Sequence, residues 1–327
     1  MLIVSRKNKF LYICEMSFQK IIFFSSIFLA LIFISGCSDK NSPTDTPTSG
    51  KINISVDDSY ENIIDGEIQV FQALYPYAKI NVSYKSEGAA IKDLLDDSSR
   101  LVIVNRELYP AEKKYFDNLH LFPKTTEIAE DALAIIVNKD SPDTLMTVDE
   151  LKKIFLGTDS TWQQISKTST GKITVVFDHD SSGNTRYIHE KIADGKSFSK
   201  NCFSLKSNPQ VINYVKNTKG SIGIIGVNWI TGNDSTQINF MKEINVVALS
   251  SLENPQPNDY RQPFQAYIKL GTYPLCRKVY IISREARWGL GSGFSAFVAG
   301  EKGQRIILKS GLVPAIAPTR IVEINTN

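Results

Sequence analysis

Histidine and cysteine are both scarce, three of one and four of the other in 327 residues. His120, His179 and His189 stand far apart and no HExxH or CxxC spacing occurs, so a structural metal site has no ligand set to build on. Cys14 falls in the N-terminal stretch and Cys37 has a separate role argued below. That leaves Cys202 and Cys276, a pair that an oxidising compartment permits to bond but that is no disulfide framework. Positive charge is not massed either. The 37 lysines and arginines against 34 acidic residues leave +3, scattered along the chain, which is no footprint for nucleic acid. A GxxxxGK[ST] loop is missing, so nucleotide hydrolysis would have to come from a partner, and no cofactor is called for. There are no internal repeats. A chain of this length with ordinary apolar content buries a large core and is expected to form two domains.

One long apolar run is present, and it lies near the N-terminus. From Met16, itself a possible start in place of Met1, the chain reads "MSFQKIIFFSSIFLALIFISGC": a lysine, an apolar core, then small residues before Cys37. That is the layout of a secretory signal. An uncleaved membrane helix is the alternative, since the run is nearly long enough to span a bilayer, but such a helix has no need of small residues followed by cysteine. Residues 38–50, "SDKNSPTDTPTSG", are polar and aperiodic and are expected to be a flexible tether.

Beyond the tether, strand-like and helix-like patches alternate. "KINISV" (51–56) has period two, and "IIDGEIQVFQALYP" (63–76) sets Ile64, Ile68, Phe71 and Leu74 at helical spacing before Pro76. "KINVSYK", "RLVIV", "ALAIIV" (132–137), "ITVVF" (173–177) and "VYIISRE" (279–285) read as strands. "AAIKDLLDD", "YPAEKKYFDNL", "TVDELKKIFLG" and "TRYIHEKIA" read as helices, with Thr147 and Glu150 forming a capping box. The block from 209 to 230 reads as helix, glycine turn and strand, 255–263 as loop, and 293–315 as a helix pair or one broken helix. The order predicts an α/β fold with a mixed or parallel sheet covered by helices on both faces. Such sheets bind ligands at the carboxyl ends of their strands.

Three loops after strands gather small polar residues. Asp58 and Ser59 follow the first strand, Asn105 and Arg106 follow "RLVIV", and "DHDSSGNTR" follows "ITVVF". In the third, Gly183 allows a sharp turn, and Ser181, Ser182, Asn184 and Thr185 offer donors at the start of a helix. Unpaired amides and the positive end of the helix dipole there make a socket for an oxyanion. Arg186 in the first turn opposes that dipole unless an anion from ligand or protein offsets it. Each group also has a plainer reading: Asp58 and Ser59 as helix caps, Arg106 as an ion-pair partner, and 182–184 as a capping turn.

"ITVVFDHDSSGNTRYI", with "DALAIIVNKDSPDTLMTVDELKKIFLG", "GSIGIIGVNWI", "YPLCRKVYIISRE" and "GFSAFVAGEKGQRIILKSGLVP" in that order, resembles the phosphate ABC transporter substrate-binding proteins. The likeness runs across nearly the whole chain after Cys37. "ISGC" resembles the lipobox of bacterial lipoproteins, and similar chains occur as Bacteroidetes-type lipoproteins. The resemblance implies a type II periplasmic-binding-protein-like fold of two lobes, each a mixed sheet flanked by helices, with the ligand cleft between them. Its expected parts are a signal peptide 1–37, the tether 38–50, lobe I from 51–137 plus 250–327, and lobe II from 138–249. It further implies lipid on Cys37, a place in the cell envelope facing the periplasm or the exterior, and three partners: inorganic phosphate or a related oxyanion, an ABC permease of the inner membrane, and the lipid bilayer. Ser182, Gly183 and Asn184 match the family's Ser, Gly, Thr. Asp178 stands where the family has arginine, Asn105 where it has the aspartate that accepts the proton of monohydrogen phosphate, and Gly88 where it has a ligand-binding serine. The expected ligand set is therefore Asp58, Ser59, Gly88, Asn105, Arg106 and 181–186, with the ligand open between phosphate and a related anion.

Two other classes stand beside a solute-binding protein. One is a two-lobe protein with a signalling or interaction role that has lost tight phosphate binding. The other is a hydrolase with Ser182 as nucleophile and His179 or His189 as base, which "DSSGN" serves poorly because it lacks the glycine of a GxSxG elbow.

Overall fold

The computed structural model describes residues 45–166, 168–231 and 242–317. The signal segment, Cys37 and tether residues 38–44 lie outside the described residues. The last part of the expected tether packs onto the fold: Thr46 and Ser49 bridge each other, and the Asp45 carboxylate accepts from the Leu290 amide at 3.0 Å.

Strand β1 (Gly50–Asp57) buries Ile52, Ile54 and Val56, as its alternation predicts. Helix α1 (Glu61–Leu74) buries Ile64, Ile68 and Phe71, while Leu74, on the same predicted stripe, is exposed in the last turn. β2 (Ala78–Lys85), α2 (Glu87–Leu95), β3 (Leu101–Val104) and α3 (Pro110–Asn118) follow. β1 pairs in parallel with both β2 and β3. β4 (Lys124–Asn138) starts eight residues before the apolar run that announces it. Its first four residues are polar or charged and not buried, so hydropathy alone hides that part.

The second half contains β5 (Leu145–Thr147), α4 (Val148–Leu156), β6 (Thr174–Phe177), α5 (Gly183–Lys191), β7 (Cys202–Ser204), α6 (Asn208–Asn217), β8 (Ser221–Gly226), α7 (Asn228–Thr231), β9 (Ile244–Val246) and β10 (Ala248–Ser250). The Thr147–Glu150 capping box is present: the Thr147 hydroxyl accepts from the Glu150 amide at 3.1 Å, and Glu150 accepts from the Thr147 amide at 2.7 Å. After α8 (Gln265–Lys269) the chain returns through β11 (Cys276–Ser283) to the pair α9 (Leu290–Ala299) and α10 (Glu301–Lys309), divided at Gly300, and to β12 (Val313–Pro314).

The strand order is β2-β1-β3-β11-β4-β8-β6-β7, with β9 and β12 also on β4. β11 lies antiparallel between β3 and the first part of β4. The later part of β4, Leu133–Val137, pairs with β8. β4 therefore belongs to both half-sheets and joins them. In the first half, Ile54 and Ile103 face Phe71 and Phe294, whose rings meet edge to face at 5.4 Å, while Val102, Val104 and Ile282 face Leu94 and Phe116. Helices thus cover both faces. Cys202 and Cys276 are free thiols, so the permitted disulfide is not formed. Burial pushes each up to about 12. Among the described residues no helix is long and apolar enough to cross a membrane.

Candidate functional site

The carboxyl ends of β1, β2 and β3 in one half-sheet and of β6 and β8 in the other bring the residues that follow them into direct contact. Ser181 donates its hydroxyl to that of Ser86 at 2.8 Å, and the Gly88 amide donates to the Ser181 carbonyl at 3.4 Å. Arg186 reaches across to the Glu87 carboxylate at 2.5 Å and to the Asn105 side chain. Asn228 closes the far side by donating to the Ser59 carbonyl at 2.8 Å. Gly183 marks the tightest approach: a Cβ there would lie 1.8 Å from Asn105 Nδ2 and 2.7 Å from an Asp57 carboxylate oxygen. Glycine is required here by space, since its φ is not in the left-handed range.

Carboxylates fill much of this contact. Asp57, fully buried, accepts from the Ser59 amide at 3.0 Å and from Asn105 Nδ2 at 3.1 Å. Burial, then the neighbouring charges of Glu87 and Asp58, pushes it up to about 7. Burial and the charge of Asp178 push Asp58 up to about 6. Asp178 sits at the start of α5, where it accepts from Ser182 Oγ at 2.6 Å and from the amides of Asn184 at 2.7 Å and Asn208 at 3.3 Å. Burial again dominates and lifts it to about 6, against the pull of the Ser182 hydroxyl. A buried carboxylate keeps its charge only where donors replace water.

The buried positive charge opposite them is Arg277, on β11. Its Nε donates to an Asp131 carboxylate oxygen at 2.8 Å, and Nη2 lies 2.7 Å from the same oxygen. Tyr60 donates to that oxygen as well, at 3.0 Å. Arg277 Nη1, Ser59 Oγ and Asn184 Oδ1 are buried with no hydrogen-bond partner. The Arg277 charge favours ionisation of both Asp57 and Asp178, so it lies within electrostatic reach of each. Native structures leave few buried polar atoms unpartnered, and each that remains calls for a ligand or ordered water.

The predicted residues fall into three groups. Ser59, Gly88, Asn105, Ser181 and Gly183 meet at the contact between the halves, with Asp58 beside them. Ser182, Asn184 and Thr185 are committed locally: Ser182 caps α5 by accepting from the Thr185 amide at 3.1 Å, and Thr185 Oγ1 donates to the His179 carbonyl at 2.6 Å. The two arginines face protein carboxylates. Arg106 forks onto Glu112 at 2.7 and 2.9 Å and stacks over the Tyr109 ring. Arg186 is held by Glu87 and, at 2.9 Å, by Glu190, so protein anions offset the helix dipole. The Ser182 hydroxyl donates to Asp178 rather than to a histidine ring, and the His189 ring packs on Phe198. Sequence reasoning missed Asp57, Glu87, Asp131 and Arg277. A usable signal existed for Arg277, because it shares the period-two face of Val279 and Ile281.

The architecture matches known proteins. The family model described as a PBP superfamily domain matches residues 41–302. The chain belongs to that superfamily. It is 24% identical over 291 residues to the phosphate-binding protein PstS of Pseudomonas aeruginosa, covering 84% of this chain and 85% of that one. Among solved structures, it resembles a phosphate ABC transporter substrate-binding protein with bound phosphate from Clostridium perfringens (TM-score 0.68, 21% identity, 82% of this chain and 100% of that one). It also resembles an ABC-type phosphate transport receptor from Vibrio cholerae (TM-score 0.63, 21% identity, 81% and 100%). The fold is the two-lobe binding-protein fold, and the contact described above joins its two half-sheets.

Proposed function

We propose that this chain is an extracytoplasmic, lipid-anchored solute-binding protein that captures phosphate or a related oxyanion between its lobes and delivers it to an ABC permease. The lobes are taken as 51–137 plus 250–327 and 138–249, closing about β4, and the reading includes no catalytic step. The observation that carries it is the buried, partly unpartnered guanidinium of Arg277 beside the converging loops of both half-sheets. Backbone amides at the start of α5 and the Ser59 hydroxyl supply further donors. Asp57 and Asp178 are acceptors in the same space, so an oxyanion that still carries a proton suits the site and fully ionised sulfate does not. They take up the acceptor role left by Asn105, which donates here instead.

Isothermal titration with phosphate, sulfate and simple organophosphates tests this. Phosphate is expected to bind more tightly than sulfate, with the gap narrowing in Asp57→Asn. Sulfate binding as well as phosphate in the unmodified chain would rule out the preference for a protonated anion. A second reading, a two-lobe protein with an interaction role, draws on one feature: Asp178 already takes the donors of Ser182, Asn184 and Asn208. Absence of heat with every anion would favour it.

A further inference from the structure

The chain leaves the folded body through a pinned strap. Asp45 accepts from the Leu290 amide at 3.0 Å, from Arg100 at 2.6 Å and from Arg287 at 3.4 Å. At Gly293 the strap passes so close that a Cβ would lie 1.8 Å from the Pro47 carbonyl oxygen. Beside it is a pocket of about 290 Å³ lined by Lys124, Glu285, Arg287, Trp288, Ser292 and Ala296, among others. Trp288 is 75% exposed, whereas Trp162 and Trp229 are buried. Phe122, two residues before Lys124, is 81% exposed. The acids of this surface are occupied: Glu285 accepts from Arg100 and from the amides of Gly289, Gly291 and Ser292. Lys124 and Arg287 remain exposed. Exposed aromatic rings with basic side chains close to them in sequence have the composition of a surface that lies at a lipid headgroup layer.

Chain length decides between a bilayer and other occupants. Eight residue steps separate Cys37 from Asp45. At about 3.3–3.6 Å per residue they can span at most ~29 Å. A compact body of this size has a radius of gyration of roughly 18 Å and is therefore some 45–50 Å across. A leash shorter than the body holds the strap side toward the membrane and keeps its local concentration at the lipid high.

We infer that the Trp288 face rests on the bilayer that holds the chain, with Trp288 and Phe122 in the headgroup layer and Lys124 and Arg287 against anionic lipid. The inference depends on the reading of Cys37 as the lipid anchor. It is tested on the lipidated full chain in vesicles of phosphatidylcholine and phosphatidylglycerol, with and without brominated acyl chains, by flotation and tryptophan emission. Brominated lipid is expected to quench Trp288. W288F should melt at the same temperature and lose the lipid-dependent quench, and the K124E/R287E pair should weaken the contact about tenfold or more. A chain that does not float with the vesicles ends both the anchor reading and this inference. One that floats with Trp288 unquenched overturns this inference alone. Emission that shifts with protein concentration in the absence of lipid assigns the face to a second copy and overturns it too.

Discussion

Arg277 and Asp131 need each other. Both are buried, and removing the cation leaves Asp131 with Tyr60 and one backbone amide as its donors. Arg277→Met is expected to cost about 3–5 kcal/mol of stability and to abolish measurable anion binding; Arg277→Lys should restore part of both. Thermal melting and titration on the same samples check this, and wild-type affinity in a folded Arg277→Met protein would remove Arg277 from the site. Glu67 is a different case. It is buried in α1 with neither carboxylate oxygen partnered, and burial alone pushes it up to about 8. With Asp57 near 7 and Asp178 near 6, the folded chain holds protons that the unfolded chain, titrating near ~4, has released. Stability from these groups is thus complete below about pH 4 and is lost as pH rises through 6 to 8. A melting temperature measured from pH 5 to 8.5 should fall, and Glu67→Gln should flatten the upper part of that curve.

At the scale of elements, the start of α5 decides whether the helix serves a ligand or itself. Ser182→Ala removes the cap on the Thr185 amide and a donor to Asp178. The helix term alone is about 0.5–2 kcal/mol. Anion affinity in that variant should fall further at pH 8 than at pH 6, because Asp178 then carries its charge with one donor fewer; equal losses at both pH values would show that Asp178 does not compete with ligand. Much of this element could be read beforehand. The turn, the cap and the strand leading in follow from "ITVVFDHDSSGNTR". What could not be read is which anion the donors hold, because that depends on Asp57 and Glu87 arriving from the other half-sheet. β11 shows a related gap: the apolar run suggests a strand from Val279, and the three residues it leaves out, Cys276–Lys278, include the arginine proposed for the site. A charged residue on an apolar face lowers the strand signal at its own position.

For the whole molecule, the contact between halves is made by polar side chains around one ion pair. Arg186 bridges Glu87 and Asn105, Tyr109 donates to Glu190, and Ser181 meets Ser86. Arg186→Ala should loosen this contact and leave Glu87 with Arg106 as its remaining ion-pair partner. Small-angle scattering without added anion should show a larger radius of gyration than the unmodified chain, with the difference shrinking when anion is added. An unchanged radius would mean that the remaining contacts hold the halves together.

β1 runs from the strap at Gly50 to the acid cluster at Asp57, about 23 Å at the usual rise per residue. The strap and the acid cluster therefore stand at opposite ends of one strand. Were the Trp288 face seated on a bilayer as inferred above, the acid cluster would point away from it. Passing an anion to a transporter in that same membrane would then require the body to turn over, whereas a transporter in a facing membrane could be met without turning.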